Sequence, residues 1–291
     1  MPEPLGIIAG NGEFPLILAR AARQQGLRVV AAAFEGETDP ALQQVADETE
    51  WVRLGQLDKL SKVFTTRHVT RAVMAGGITP ANLFKNLSLD FRMIAVAARL
   101  KVRNAETIFG AVAEELQKDG VMLLDPRPFL GEHVPTAGVL TRRAPDREQQ
   151  EDIAFGWRIA KAVSALDIGQ TVVVKRGTVL AVEGFEGSDE CIQRGGALAG
   201  EKGGAVVVKV SKPNQDFRFD IPCIGLRTLQ SCAVGKIAVL AAEAGATLFL
   251  DKPKVLAAAD KQGLRIVAVG QPSSLSNESQ TPKQVTAHEP S

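Results

Sequence analysis

The chain has 291 residues, 45% hydrophobic and 23% charged, with 34 lysines and arginines against 33 aspartates and glutamates. That length favours two domains over one, and the composition is that of an ordinary globular protein with enough apolar material for two cores. The formal net charge of +1 excludes a global field that would draw the protein to nucleic acid, so any recognition of phosphate has to be local.

LGIIAG (5–10) reads as a buried strand ending in glycine. Phe14-Pro15 then opens a helical pattern that Gly26 closes, with proline in the first turn and glycine past the last. LRVVAAAFEG (27–36) is a second strand, WVRLGQLDKLSKVFTTR a short strand followed by a helix, and RAVMAGGITP (71–80) a third strand ending in paired glycines. Helical spacing continues to about residue 120, and VMLLDPR (121–127) is a further strand. Strands alternating with helices predict a Rossmann-like parallel sheet with helices on its faces over residues 1–138. Residues 139–150, proline-containing and densely charged, are expected to be a linker into a helix beginning near Glu151. A mixed α/β domain is expected over 151–270. It begins with a hairpin (169–187) turning at Lys175-Arg176-Gly177, followed by the strand GGAVVVKVSK. LQSCAVGKIAVLAAEAG (229–245) is read as one amphipathic helix capped by Gly245, then TLFLD as a strand, PKVLAAADKQG as a helix and LRIVAVG as a last strand. The polar, Ser/Pro-rich residues 271–291 are expected to be disordered.

Cys191, Cys223 and Cys232 fit no zinc spacing and form no C-x-x-C, which favours a reduced, cytoplasmic chain. The N-terminus lacks a basic n-region, and no run approaches the ~18–20 apolar residues of a membrane span. With His68, His133 and His288 the only histidines, a histidine-rich metal centre or a histidine-centred triad is not expected.

Four stretches carry candidate chemistry. Gly10-Asn11-Gly12 ends the first strand, where open α/β sheets bind ligands and where a helix N-terminus offers free N–H groups. Pro15 stands where a dinucleotide fingerprint wants a third glycine, so a phosphate or sugar contact and a plain tight turn both remain open beside a nicotinamide site. Gly76-Gly77 falls at the same end of a later strand and could line the same crevice or form a purely structural turn. The run Glu183-Gly184-Phe185-Glu186-Gly187-Ser188-Asp189 gathers three carboxylates and a hydroxyl near a turn, which leaves open a solvated turn and a site for Mg²⁺ or a substrate hydroxyl. The fourth is KVSKPNQDFRFDIPCIG (209–225). Read as a strand, it puts Phe217, Phe219 and Ile221 on one face and Asp216, Arg218 and Asp220 on the other. In an extended strand the two aspartates would lie about 13 Å apart, too far to share one ion, so Arg218 could neutralise one while the other serves a metal. Lys209 and Lys212 add positive charge for phosphate, and on these residues alone a phosphate-and-metal site and a charged edge strand both remain open.

DIGQTVVV, VLAVEGFEGSDECIQR and GAVVVKVSKPNQDFRFDIPCIG, preceded in order by LGIIAGNGEFP, AVMAGGITP and EDIAFGWRIAKAVSALDIGQ, resemble the LpxI-type UDP-2,3-diacylglucosamine pyrophosphatases of lipid A biosynthesis. The likeness spans residues 5 to about 270. It implies an Mg²⁺-dependent hydrolase giving 2,3-diacylglucosamine 1-phosphate and UMP, with the lipid held between two domains. It puts the essential carboxylate in the Asp-x-Pro element, here Asp220-Ile221-Pro222, so that Asp220 is the expected catalytic and metal residue. Asp216 and Asp189 are further candidate ligands. Expected substrate contacts are Gly10, Asn11, Gly12, Gly76, Gly77, Glu186, Ser188, Asp189, Lys209, Lys212, Gln215 and Arg218. Where the family often has an acidic Gly-Asp-Asp turn this chain has Asn104-Ala105-Glu106. Expected partners are the UDP-linked diacylated glucosamine and, transiently, the inner membrane surface, with no nucleic acid; a homodimer stays open. A nicotinamide-dependent oxidoreductase and a non-catalytic glycolipid or nucleotide-sugar carrier are the alternatives.

Overall fold

A computed structural model describes residues 3–79, 88–100 and 105–270. The tail 271–291 and Asn104 lie outside the described residues, as does the side chain of Glu106.

The first half is built on strands β1 (Pro4–Ala9), β2 (Arg28–Phe34), β3 (Glu48–Val52), β4 (Arg71–Ala75) and β5 (Met122–Leu123). They form one parallel sheet in the order β3-β2-β1-β4-β5. Helices α1 (Phe14–Gln24), α2 (Leu42–Val45), α3 (Leu57–Thr65), α4 (Phe91–Arg99) and α5 (Ala105–Lys118) run between the strands, and α6 (Arg127–Leu130) follows β5. Burial on both faces explains the near-continuous apolar strands. Leu5, Ile7 and Ala9 of β1 pack in the cluster that includes Leu18 of α1, while Ile8 joins Phe64 of α3 and Leu116 of α5 on the other side. The chain steps outward from β1 through β2 to β3, then returns to β4 on the far side of β1. The reversal leaves a crevice beyond the carboxyl ends of β1 and β4, the usual ligand position in such sheets.

The second half has β6 (Gly138–Val139), α7 (Arg147–Ala165), β7 (Thr171–Lys175), β8 (Thr178–Val182), α8 (Ser188–Leu198), β9 (Val206–Lys209), β10 (Cys223–Ile224), α9 (Leu226–Val234), β11 (Val239–Glu243), β12 (Leu248–Phe249), α10 (Lys252–Gln262) and β13 (Arg265–Val269). Its six-stranded sheet runs β6-β13-β11-β9-β7-β8. Strands β9, β11 and β13 are mutually parallel, and β6, β7 and β8 pair antiparallel. The expected hairpin turns at Arg176 (φ 49°) and Gly177 (φ 69°), whose N–H groups both donate to the Asp152 carboxylate of α7.

Three expectations need correction. Residues 229–245 are not one helix: α9 ends at Val234, the chain turns through Gly235 and Lys236 (φ 49°), and β11 follows as a fully buried central strand. Ile237–Ala242 is apolar at every position, so helical and buried-strand periods cannot be told apart there. The stretch expected as a linker is tied into the second half. Val139 pairs with β13, Leu140 N–H donates to Ile266 O, and Asp146 caps α7, which starts at Arg147 instead of near Glu151. Finally, residues 213–220 are not a strand. The N–H groups of Phe219 and Asp220 both donate to Asp216 O at 3.1 and 3.3 Å, closing a turn.

The two halves share core. Ile221, and Leu248 of β12, are buried in the first half's cluster with Leu5 and Leu130, and Phe217, Cys223 and Leu250 pack against it. Phe219 packs on the opposite cluster, its ring 6.3 Å from that of Phe109 on α5. Among the described residues no helix is long and apolar enough to cross a membrane.

Candidate functional site

Two adjoining clefts meet on the segment 220–223. The larger, about 480 Å³, opens at the crevice of the first sheet. Asn11, Gly12 and Glu13 from the turn after β1 and Gly76 and Gly77 from the turn after β4 form one side. The remaining wall is mostly apolar: Phe14, Ile108 and Phe109 from the first half face Phe217, Phe219 and Ile221 from the second. The smaller cleft, about 360 Å³, is polar and is lined by Asp167, Gln170, Glu183, Ser188, Lys209 and Lys212. Asp220, Ile221 and Cys223 line both.

The glycine turns are a packed pair. Asn11 N–H donates to Gly77 O and Gly10 N–H to Ala75 O, both at 2.8 Å. A Cβ on Gly10 would stand 2.2 Å from Gly77 O, and one on Gly76 would stand 2.3 Å from Asn11 O. These two glycines are therefore required by the close approach of two backbones, and that removes much of the support for a dinucleotide turn. Gly12 (φ 82°) does face open space on the cleft. The Asn11 side chain points away to Glu37 (2.9 Å) and Thr79 (3.1 Å). Gly10→Ala is expected to destabilise the protein by about 1–3 kcal/mol through backbone displacement. A urea titration checks it, and an unchanged midpoint would mean the turns separate freely.

In the polar cleft, Ser188 is the hub. Its hydroxyl donates to Glu183 Oε1 at 3.0 Å, lies 3.0 Å from Thr171 Oγ1, and accepts from Lys209 Nζ at 2.9 Å. Lys212 pairs with Asp167. Thus Ser188, Lys209 and Lys212 line one cleft. Glu186 and Asp189 do not join them. Glu186 is held by Arg194, which keeps its carboxyl below the usual range, and it accepts from Gly184 N–H. Asp189, on the first turn of α8, is tied to Arg227 (3.2 Å) and Ser231 (3.2 Å) of α9. Neither lines either of these two clefts.

Asp216 and Asp220 lie four residues apart on one turn, so the extended-strand separation does not apply. Arg218 donates to both oxygens of Asp216, with contacts of 2.6–3.2 Å, and holds that carboxyl low. Arg218 lines the larger cleft with its guanidinium 4.9 Å from the Phe219 ring. Asp220 is exposed; its Oδ2 accepts from Gln215 Nε2 at 2.9 Å, and its Oδ1 accepts no hydrogen bond among the described residues. Cys223, half-buried and within electrostatic reach of Lys209 and Asp220, is a thiol pushed up to about 11 by desolvation. That makes it a poor nucleophile at neutral pH.

Among the described residues no three His, Cys, Asp or Glu side chains cluster tightly enough to hold a metal by themselves. Mg²⁺ does not need such a cage: one or two carboxylates suffice when substrate phosphates and water complete its shell. An exposed carboxylate with an uncommitted oxygen, flanked by a cleft bearing two lysines, fits that mode. Gln170 and Asp167 of the DIGQ run also line the polar cleft, and the apolar wall is assembled by residues distant in sequence.

The family model described as the LpxI N-terminal domain matches residues 4–133, and that described as the LpxI C-terminal domain matches 136–267. The chain is 31% identical over 274 residues to the UDP-2,3-diacylglucosamine pyrophosphatase LpxI of Caulobacter vibrioides, covering 91% of this chain and 97% of that protein. It is also 31% identical over 143 residues to the bifunctional purine biosynthesis protein PurH of Parvibaculum lavamentivorans, covering 45% of this chain and 24% of that protein. Among solved structures, the ADP complex of the N5-carboxyaminoimidazole ribonucleotide synthetase purK is 14% identical, covers 65% of this chain and 40% of that one, and has a TM-score of 0.27. This chain thus spans well under two thirds of the PurH and purK chains, and at that TM-score the purK likeness carries no weight.

Proposed function

Because the chain belongs to the LpxI family, we propose that it is a UDP-2,3-diacylglucosamine pyrophosphatase of lipid A biosynthesis, releasing UMP and 2,3-diacylglucosamine 1-phosphate. The observation that carries this reading is that an apolar and a polar cleft meet at the single carboxylate Asp220. The substrate has the same division: two acyl chains on one side, a uridine nucleotide on the other, and a pyrophosphate between them.

In this reading the acyl chains lie against Phe14, Phe109, Phe217 and Phe219, and the pyrophosphate lies at Asp220. Lys209 supplies positive charge to phosphate oxygens from the polar side, with its ammonium aimed by Ser188. Burial of the chains contributes binding energy that holds the reacting bond in position. Water adds across the P–O–P bridge: its oxygen bonds to one phosphorus, the bond between that phosphorus and the bridging oxygen breaks, the bridging oxygen leaves on the other phosphate, and the protons leave to solvent. Mg²⁺ held by Asp220 would supply charge that polarises the phosphoryl oxygens. A protein of this kind meets its lipid at the inner membrane surface from the cytoplasmic side.

Incubation with UDP-2,3-diacylglucosamine and Mg²⁺ tests the reading. It predicts UMP and the sugar 1-phosphate in equal amounts; tight product binding with no turnover would instead favour a carrier. Because the donors are oxygens with no cysteine–histidine set, EDTA is expected to abolish activity, Mg²⁺ to restore it and Zn²⁺ alone to fail. Full rate in EDTA would contradict the metal assignment.

A further inference from the structure

We infer that Gln170 and Gln215 form an amide relay that takes its reference from the second-half sheet and aims the carboxylate of Asp220. The inference rests on the reading of Asp220 as the catalytic carboxylate, and it changes the role expected for Gln215 from substrate contact to support. Gln215 lines neither cleft, whereas Gln170 lines the polar one and Asp220 lines both.

The hydrogen-bond accounting at Gln215 is complete. Its Nε2 donates to Asp220 Oδ2 at 2.9 Å and to Asp220 O at 3.0 Å. Its Oε1 accepts from Gln170 Nε2 at 3.0 Å and from Lys212 N–H at 3.2 Å. Two acceptors face the NH₂ and two donors face the oxygen, so the amide has one orientation: flipping it would oppose like groups at both ends. A side chain held in this way can transmit position.

The other end of the relay is anchored where three strands converge. Gln170 N–H donates to Glu183 Oε2 at 3.2 Å, just past β8, and Gln170 O accepts from Val210 N–H at 2.9 Å, just past β9. Gly169 lets the chain come this close, since a Cβ there would stand 2.1 Å from Glu183 O. Asp220, by contrast, is exposed on a segment without regular structure. A carboxylate on such a segment reaches a reproducible position only when something rigid fixes it, and partners one shell out commonly do so. The relay gives the DIGQ run a purpose that its residue types alone do not reveal.

The test uses the full chain with Gln215→Leu, the near-isosteric Gln215→Glu, Gln170→Leu and the double variant Gln170→Leu/Gln215→Leu, with thermal melts to confirm folding. Gln215→Leu is expected to lower kcat by about 10–100-fold with KM within about threefold, the usual scale for an outer-shell partner. Gln215→Glu, which turns an oxygen toward Asp220, should be at least as impaired. The double variant should be no slower than Gln215→Leu, because Gln170 acts on Asp220 through Gln215. Additive losses, or a loss confined to KM, would overturn the relay. Crystal structures of wild type and Gln215→Glu supply a readout independent of turnover: the Asp220 carboxylate should turn away or spread over several rotamers in the variant, and an unmoved carboxylate overturns the inference. If wild type releases no UMP, the functional reading fails while the structures still decide whether Gln215 positions Asp220.

Discussion

Asp220→Ala is expected to lower hydrolysis by about a thousandfold or more, a loss of ~4 kcal/mol of transition-state stabilisation, while the protein keeps its fold. The asymmetry follows from where the side chain sits. It is exposed and contributes one side-chain acceptor to the relay, so its removal should move stability by no more than about 0.5 kcal/mol. Yet it is the carboxylate on the boundary of both clefts, where the pyrophosphate would lie. Asp216→Ala is expected to cost less than about tenfold, because both its oxygens are occupied by Arg218 and its task is to hold that guanidinium. Parallel kinetics and melts of the two variants decide the matter. A tenth of wild-type activity retained in Asp220→Ala would remove Asp220 from the chemistry.

The largest stability effect is expected at Lys161. Its ammonium donates to both oxygens of Glu243 at 2.7 Å and to Ser211 O at 3.0 Å. Glu243 is 4% exposed at the end of β11, and Ser211 donates to it from both N–H (2.6 Å) and hydroxyl (2.7 Å). Such a pair adds little stability over an apolar substitute for both members, but removing one member strands a buried charge at a cost of about 3–5 kcal/mol. Lys161→Met should therefore be destabilised by that amount in a urea titration. The loss should also reach the site, since Ser211 is the residue before Lys212 and the turn that carries Asp220. A change below about 1 kcal/mol would mean that Glu243 finds water or another partner.

How far these features could be read in advance varied with the kind of signal. The strands of the first half were legible because each apolar run is closed by glycine or followed by a clear helical period, as in LGIIAG and RAVMAGG. The same rule failed at β11, where Ile237–Ala242 is apolar throughout and periodicity carries no information. Helix α8 gives little helical signal because SDECIQRGGAL mixes glycines and charges with few apolar residues. At 209–225 alternation of charge and aromatics suggested a strand, whereas Pro213 and Asn214 begin a turn and the Asp216 carbonyl closes the next one. The choice of Asp220 over Asp216 came from the family resemblance; spacing alone left it open. The apolar cleft was invisible because its walls, Phe109 and Phe219 among them, lie about a hundred residues apart in the chain and meet only when the halves share a core.

The central claim is that one carboxylate serves an acyl-binding cleft and a nucleotide-facing cleft at once. Its most direct test is the ratio of kcat/KM for UDP-2,3-diacylglucosamine to that for acyl-free UDP-glucosamine, both read as UMP release. The account predicts a preference of at least about 100-fold for the acylated substrate. That is ~2.7 kcal/mol, no more than three or four methylenes buried at ~0.8 kcal/mol each. Equal kcat/KM for the two would contradict it, because a cleft lined by Phe14, Phe109, Phe217 and Phe219 that held the acyl chains could not be indifferent to their loss.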